Sequence, residues 1–221
     1  MVAIVDYGAG NLFSVANALE HLAVPCQITR APKVLEQADG ILLPGVGAFP
    51  DAMEMLQEKG LVPLLRHMAL EKPFLGICLG MQVLFSQGEE FRLTQGLNLL
   101  PGRVEKLRAP GLKIPHMGWN RLEFVRDCPL TRGLPEEAYV YFVHSYCAVP
   151  KEENLVAWTE YGGQIPALVW DGAYCYGAQF HPEKSGEPGL MILRNFADLC
   201  QDVAQRKTSK EGFSHDTASR H

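Results

Sequence analysis

The run Gly76-Ile77-Cys78-Leu79-Gly80 limits what this chain can fold into more than any other feature. The residues before it, Lys72-Pro73-Phe74-Leu75-Gly76-Ile77, suit a short buried strand, and Leu79-Gly80-Met81-Gln82-Val83-Leu84-Phe85 suits the start of a helix with an apolar face. One residue separates the two. Glycines on both sides of the bend let the chain turn that sharply, and they leave the side chain between them exposed. That side chain is a cysteine, over a helix N-terminus where free N–H groups and the dipole favour thiolate over thiol. A base for it lies far downstream, in His181-Pro182-Glu183. In an extended segment residues i and i+2 point to the same side, so Glu183 can hold and polarise the His181 imidazole.

Hydrophobic patterning supplies a sheet. Residues 1–7 read as a strand, 8–11 as a turn and 12–22 as an amphipathic helix. Further strands are expected at 24–30 and 40–43, and helices at 48–57 and 61–70. Strands alternating with helices imply a mostly parallel sheet covered on both faces. Beyond residue 101 the pattern changes to short strands at 102–107, 120–125, 138–149, 155–160, 166–170 and 173–180, separated by Gly, Pro and Asn turns. These suit antiparallel additions, and 188–204 reads as a closing helix. The expected fold class is α/β: a flavodoxin-like, mostly parallel sheet with helices on both faces and antiparallel strand additions in the second half. Residues 1–206 form the expected domain, and 207–221 a polar, disordered tail with little to bury.

At 221 residues and 47% hydrophobic, one domain can bury a full core. A formal charge of −5 without a basic stripe argues against a nucleic-acid or anionic-membrane surface. No apolar run is long enough to span a bilayer, and the first residues lack a signal peptide's basic start, so the cytoplasm is the expected compartment. The six cysteines stand singly, which removes a zinc ribbon and argues against a disulfide framework. Cys26, Cys128, Cys147, Cys175 and Cys200 read as small apolar fillers. No metal or cofactor is expected. Gly8-Ala9-Gly10 imitates a dinucleotide fingerprint but has Phe13 where the third glycine belongs, and Pro44-Gly45-Val46-Gly47 lacks the Gly-Lys-Ser/Thr of a phosphate loop. His116 and His144 are expected to hold loops or backbone rather than to do chemistry, and His21, His67, His215 and His221 to lie on the surface.

The residues Gly76-Ile77-Cys78-Leu79-Gly80-Met81-Gln82, with Gln179-Phe180-His181-Pro182-Glu183, resemble the class I (triad) glutamine amidotransferases. Further segments narrow the resemblance: Asp6-Tyr7-Gly8-Ala9-Gly10-Asn11, Pro44-Gly45-Val46-Gly47-Ala48-Phe49, Pro115-His116-Met117-Gly118-Trp119-Asn120, Tyr141-Phe142-Val143-His144-Ser145-Tyr146 and Lys184-Ser185. Together they look like the glutaminase subunits of imidazole glycerol phosphate synthases, over residues 1–203. The resemblance implies hydrolysis of a glutamine side-chain amide, with Cys78 as nucleophile, His181 as base and Glu183 as its partner. An oxyanion hole is expected from the N–H of Leu79 and from Val46 and Gly47, in a loop whose glycines permit a peptide to turn over. Gly47, Gln82, Glu90, Ser145 and Tyr146 align with positions that hold the substrate's α-amino and α-carboxylate groups. An ammonium needs a carboxylate, but Gly88 stands where a serine is expected, so both Glu89 and Glu90 are candidates.

This fold uses up the chain and leaves nothing to bind a phosphorylated acceptor. Free ammonia is mostly protonated near neutral pH, so the active-site mouth must dock over a tunnel in a second protein. The resemblance names that partner as a cyclase subunit with a (β/α)₈ barrel, forming a heterodimer that makes imidazole glycerol phosphate and AICAR in histidine biosynthesis. Asn11, Trp119, Asn120, Tyr141 and Lys184 are the expected contacts near the mouth, although Trp119 reads equally as core. Three rivals stand beside this reading. The glutaminase of a pyridoxal phosphate or anthranilate system should lack residues 115–120 and Lys184-Ser185 as they stand here. A cysteine hydrolase of the peptidase/deglycase group would not be labelled at Cys78 by an electrophilic glutamine analogue. A non-catalytic docking module has no use for Cys78, His181 and Glu183 together.

Overall fold

Alternation along short strands sets the layers. In β1 (Val2–Val5), Val2 and Ile4 pack on one side of the sheet and Ala3 and Val5 on the other. Beside it lie β2 (Cys26–Thr29) and β3 (Gly40–Gly45), where Leu42 opposes Ile41 and Leu43. In β4 (Phe74–Cys78), Leu75 and Ile77 oppose Phe74. One layer is closed by α1 (Leu12–His21), through Val15 and Leu19, and by α6 (Gly186–Asp216), through Ile192, Leu193 and Phe196. The other is closed by α2 (Pro32–Gln37), α3 (Phe49–Glu58) and α4 (Leu61–Glu71). The computed structural model describes residues 1–216. No helix among them is long and apolar enough to cross a membrane. The backbone of α6 reaches Asp216, into the segment expected as a tail; residues 217–221, and the side chain of His215, lie outside the description.

The main sheet has eight strands in the order β2-β1-β3-β4-β14-β13-β12-β9, completed by β9 (Glu123–Phe124), β12 (Leu155–Glu160), β13 (Gln164–Trp170) and β14 (Cys175–Ala178). From β2 to β14 the pairing is parallel, in the flavodoxin order, and from β14 to β9 it is antiparallel. The expected class holds, with one correction. The strand near 173–180 is no antiparallel addition, because β14 runs parallel to β4 inside the sheet, with Ala178 beside Ile77. It is buried along its whole length, as an interior strand must be.

Two smaller sheets lie beyond the main one. The first has the order β11-β7-β5-β6, from β5 (Phe85–Gly88), β6 (Thr94–Gln95), β7 (Leu100–Lys106) and β11 (Tyr146–Pro150). The second is a ribbon of β8 (His116–Arg121) and β10 (Tyr139–His144). Two expectations change here. The helix after Cys78 lasts one turn, α5 (Leu79–Gln82), and Phe85 opens a strand instead. Val83, Leu84 and Phe85 are all fully buried, so no polar face marked which regular structure they would take. The strand expected over 138–149 breaks at Ser145, since β10 pairs with β8 and β11 with β7.

The bend at Cys78 is strained, with φ 56° and ψ −112°. A non-glycine residue held there costs about 1–3 kcal/mol. The flanking glycines serve a different purpose from the turning freedom expected of them. A Cβ on Gly80 would lie 1.7 Å from the Leu43 carbonyl oxygen, and one on Gly76 would lie 2.4 Å from the Gly80 oxygen. Both are glycine so that backbones can touch. Gly80→Ala is therefore expected to cost about 3 kcal/mol of folding stability, read as a lower urea midpoint at unchanged slope. An unchanged midpoint would show that β3 and α5 can separate freely.

Candidate active site

The C-terminal ends of β3, β4 and β14 are neighbours, so whatever follows them is brought together. A cavity of about 360 Å³ opens there, lined by Val46, Gly47, Cys78, Leu79, Gln82, Glu90, Ser145, Tyr146 and His181, with Pro115, Val143 and His144. Apart from Glu89, every residue expected in the oxyanion hole or around the substrate is on its wall. A hollow of about 330 Å³ near Glu105, Cys147 and Trp158 holds no comparable set of nucleophile and base. The six cysteines are free, as their spacing suggested, and all but half-buried Cys26 are buried.

His181 and Glu183 are nearly sealed from solvent, their side chains 4% and 1% exposed. Nδ1 of His181 donates to Glu183 Oε1 at 2.8 Å, which leaves Nε2 as the nitrogen free for other contacts. Glu183 lies in a short 3₁₀ turn (Pro182–Lys184) rather than on extended chain, and its carboxylate reaches back to the ring. Burial opposes a charge on His181, but interaction with Cys78 and Glu183 outweighs it and lifts the imidazole from 6.5 to about 9. The loop is fastened by its backbone: His181 N–H donates to the Tyr141 carbonyl at 3.0 Å, and Ser185 Oγ donates to the His181 carbonyl at 2.6 Å. Ser185 Oγ also accepts from Tyr141 N–H at 3.0 Å.

Of the two candidate glutamates, Glu90 is on the cavity wall. Glu90 faces inward and accepts from the Phe49 N–H at 2.8 Å through Oε2, whereas Glu89 is exposed. Burial raises the Glu90 carboxyl, partly offset by that N–H. Gly88 replaces the expected serine because a Cβ there would lie 2.7 Å from the Phe49 ring. Within the Val46 loop Gly47 has φ 101° and open space where a Cβ would stand, whereas a Cβ on Gly45 would meet Gly80 N at 2.7 Å.

A family model described as glutamine amidotransferase class-I matches residues 3–199. The chain is a class I glutamine amidotransferase. It is 53% identical over 206 residues to the imidazole glycerol phosphate synthase subunit HisH of Desulfitobacterium hafniense, covering 92% of this chain and 97% of that one. It is 51% identical over 200 residues to the subunit of the same name from Moorella thermoacetica, covering 90% and 94%. Among solved structures, a putative GMP synthase component from Thermoplasma acidophilum shares the fold, with TM-score 0.72, 21% identity, and coverage of 94% and 96%.

On this amidotransferase the β8–β10 ribbon forms one lip of the cavity. Exposure alternates along β8, so Met117 and Trp119 face out, and Trp119 leans on Tyr141 of β10 at 6.0 Å between ring centroids. Trp119 is 54% exposed, which removes the core reading. Lys184 is exposed and Asn11 half-buried. Asn120 turns inward instead, its Nδ2 donating to the Glu160 carbonyl at 3.0 Å and its Oδ1 meeting His116 Nε2 at 2.8 Å. His116 stacks between Phe142 and Tyr161 and contacts His144 Nε2 through Nδ1 at 3.0 Å. His144 Nδ1 in turn donates to the Tyr146 carbonyl at 2.9 Å. Burial is the chief reason that His144 falls to about 4, so it is neutral near pH 7 and holds backbone, as expected. The residue the sequence reading passed over is Gln179, buried beside Cys78 with Nε2 at 3.8 Å from the sulfur. Its alternation with His181 was the available signal.

The shift on His181 yields a prediction. Its contribution to stability is fully present below pH 6.5 and fades as pH rises through about 9, because the folded state holds that proton more tightly. In Cys78→Ala the His181 titration, followed by NMR of the imidazole, should move down from about 9. A midpoint that stays put would mean that the sulfur and the ring do not interact.

Proposed function

We infer that this chain is the glutaminase subunit of an imidazole glycerol phosphate synthase, working in histidine biosynthesis. One observation carries the chemistry: a cysteine forced into the bend between strand and helix shares a cavity wall with a histidine already bonded to a buried glutamate. Identity of about half over nearly the whole length to subunits of that name supports the assignment.

The geometry suits a thioester route. With the thiol proton already held on His181, the Cys78 thiolate attacks the glutamine carboxamide carbon, while Glu183 steadies the imidazolium through Nδ1–H. The developing oxyanion is met by the Leu79 N–H at the start of α5 and by a peptide of the Val46–Gly47 loop, turned at Gly47. Such a donor is worth about 2.7–4 kcal/mol. His181 then returns the proton to departing ammonia and activates water against the thioester. Glu90, as a half-buried carboxylate on the cavity wall, takes the α-ammonium. Gln82, Ser145 and Tyr146 hold the remaining polar atoms of the substrate.

Ammonia released here must reach its acceptor without passing through water. The β8–β10 ribbon, whose Val143 and His144 line the cavity, carries the exposed Trp119 and half-buried Tyr141 as an aromatic lip, with Lys184 and Asn11 also at the surface. That aromatic lip is the docking face for a cyclase subunit with a (β/α)₈ barrel, in a heterodimer whose tunnel continues from the cavity. Asn120 acts from behind, by fixing the strand that carries Trp119.

The test is glutamate release by the chain alone, with the cyclase, and with the cyclase plus its ribonucleotide substrate. Turnover should rise at each addition; equal turnover in all three would refute the coupled reading. Cys78→Ala should remove activity by on the order of 10³-fold or more. Trp119→Ala should weaken docking by roughly 10-fold or more, measured by titration calorimetry, while leaving the fold intact.

A further inference from the structure

Gln179 sits beside Cys78 because β14 runs parallel to β4 with Ala178 opposite Ile77. Its side chain is wholly buried and engaged at both ends. Oε1 accepts from Gln82 Nε2 at 3.0 Å, and Nε2 donates toward Cys78 Sγ at 3.8 Å. A third contact fixes this direction. Gln82 Nε2 also donates to the Tyr146 carbonyl at 2.9 Å, so both of its hydrogens go to oxygens, and turning that amide over would set oxygen against oxygen twice. With Gln82 fixed as donor, Gln179 must offer it Oε1 and offer the sulfur N–H. The Val143 carbonyl also lies near the sulfur, at 3.9 Å.

We propose that Gln179 positions the Cys78 sulfur and stabilises it as thiolate, and that the same clamp leaves Gln82 Oε1 as the amide atom free to accept from a bound molecule. This deepens the reading of Cys78 as nucleophile and rests on it. An N–H aimed at sulfur is stronger for the anion than for the neutral thiol. His181 can surrender its proton during turnover, whereas an amide keeps its hydrogens, so Gln179 holds the sulfur before and after each transfer. The other ionisable groups around the sulfur are His181, backed by Glu183, and the Tyr7 hydroxyl just past β1; His144 and Glu90 line the same cavity.

Alkylation of Cys78 by iodoacetamide, followed across pH by mass spectrometry of its peptide without glutamine present, reads the thiolate directly. Gln179→Met removes the donor and should raise the apparent midpoint by about one pH unit or more. Gln179→Glu keeps an acceptor for Gln82 while placing a carboxylate against the sulfur, so its midpoint should rise further. If the methionine variant does not fold, the glutamate variant decides the question. A folded variant with an unchanged midpoint overturns the proposal. Glutamine hydrolysis by Cys78→Ala, measured beside it, separates the two levels. Hydrolysis that survives that change removes the nucleophile itself, whereas an unshifted midpoint with hydrolysis that depends on Cys78 removes only the role of Gln179.

Discussion

The Leu43 carbonyl oxygen lies where residue 80 would carry a methyl group, and the site depends on that contact. It draws the end of β3 against the first turn of α5, and Gly45 continues the contact against Gly80 N and Leu79. Nothing with a side chain fits at position 80. The approach brings Val46 and Gly47 to the same cavity as Cys78. It also holds Cys78, the last residue of β4, at a positive φ that cysteine does not favour. Burial of β3 and β4 on both faces holds that strain in place.

A second fastening runs from the outer surface to the imidazole. The backbone of Tyr141 grips the His181 loop at two points, through the His181 N–H and the Ser185 hydroxyl. The ring of Tyr141 meanwhile supports Trp119 on the outside. One residue thus joins the proposed docking face to the proposed base, with no flexible segment between them. Asn120, His116 and His144 form a parallel line from the ribbon to the Tyr146 carbonyl at the cavity wall. A shift of the ribbon would be felt at both ends of the site.

Much of this was legible because its signals are local. The alternation in β1, β3 and β4, the apolar stripe of α1 and the glycine-framed cysteine each declare themselves within a few residues. The misread places share a different property. Val83, Leu84 and Phe85 are buried all round, so neither period shows. The break at Ser145 exists because two sheets claim the chain on either side of it. The direction of β14 depends on which strand it reaches, a matter of connection rather than composition. Gly88 looked like a departure from pattern until the Phe49 ring was seen against it.

What the amino-acid order determined alone was the chemistry on offer: a cysteine at an obligatory bend, a histidine with a carboxylate two residues on, and the strand and helix periods that carry them. Those follow from local sterics and side-chain type. Tertiary structure decided which of them meet. It put Glu90 rather than Glu89 on the cavity wall, turned Asn120 inward, brought Trp119 out and placed Gln179 against the sulfur. Each outcome depends on strand register and on the packing of segments remote in the chain, and a distance between such segments is not written in either one.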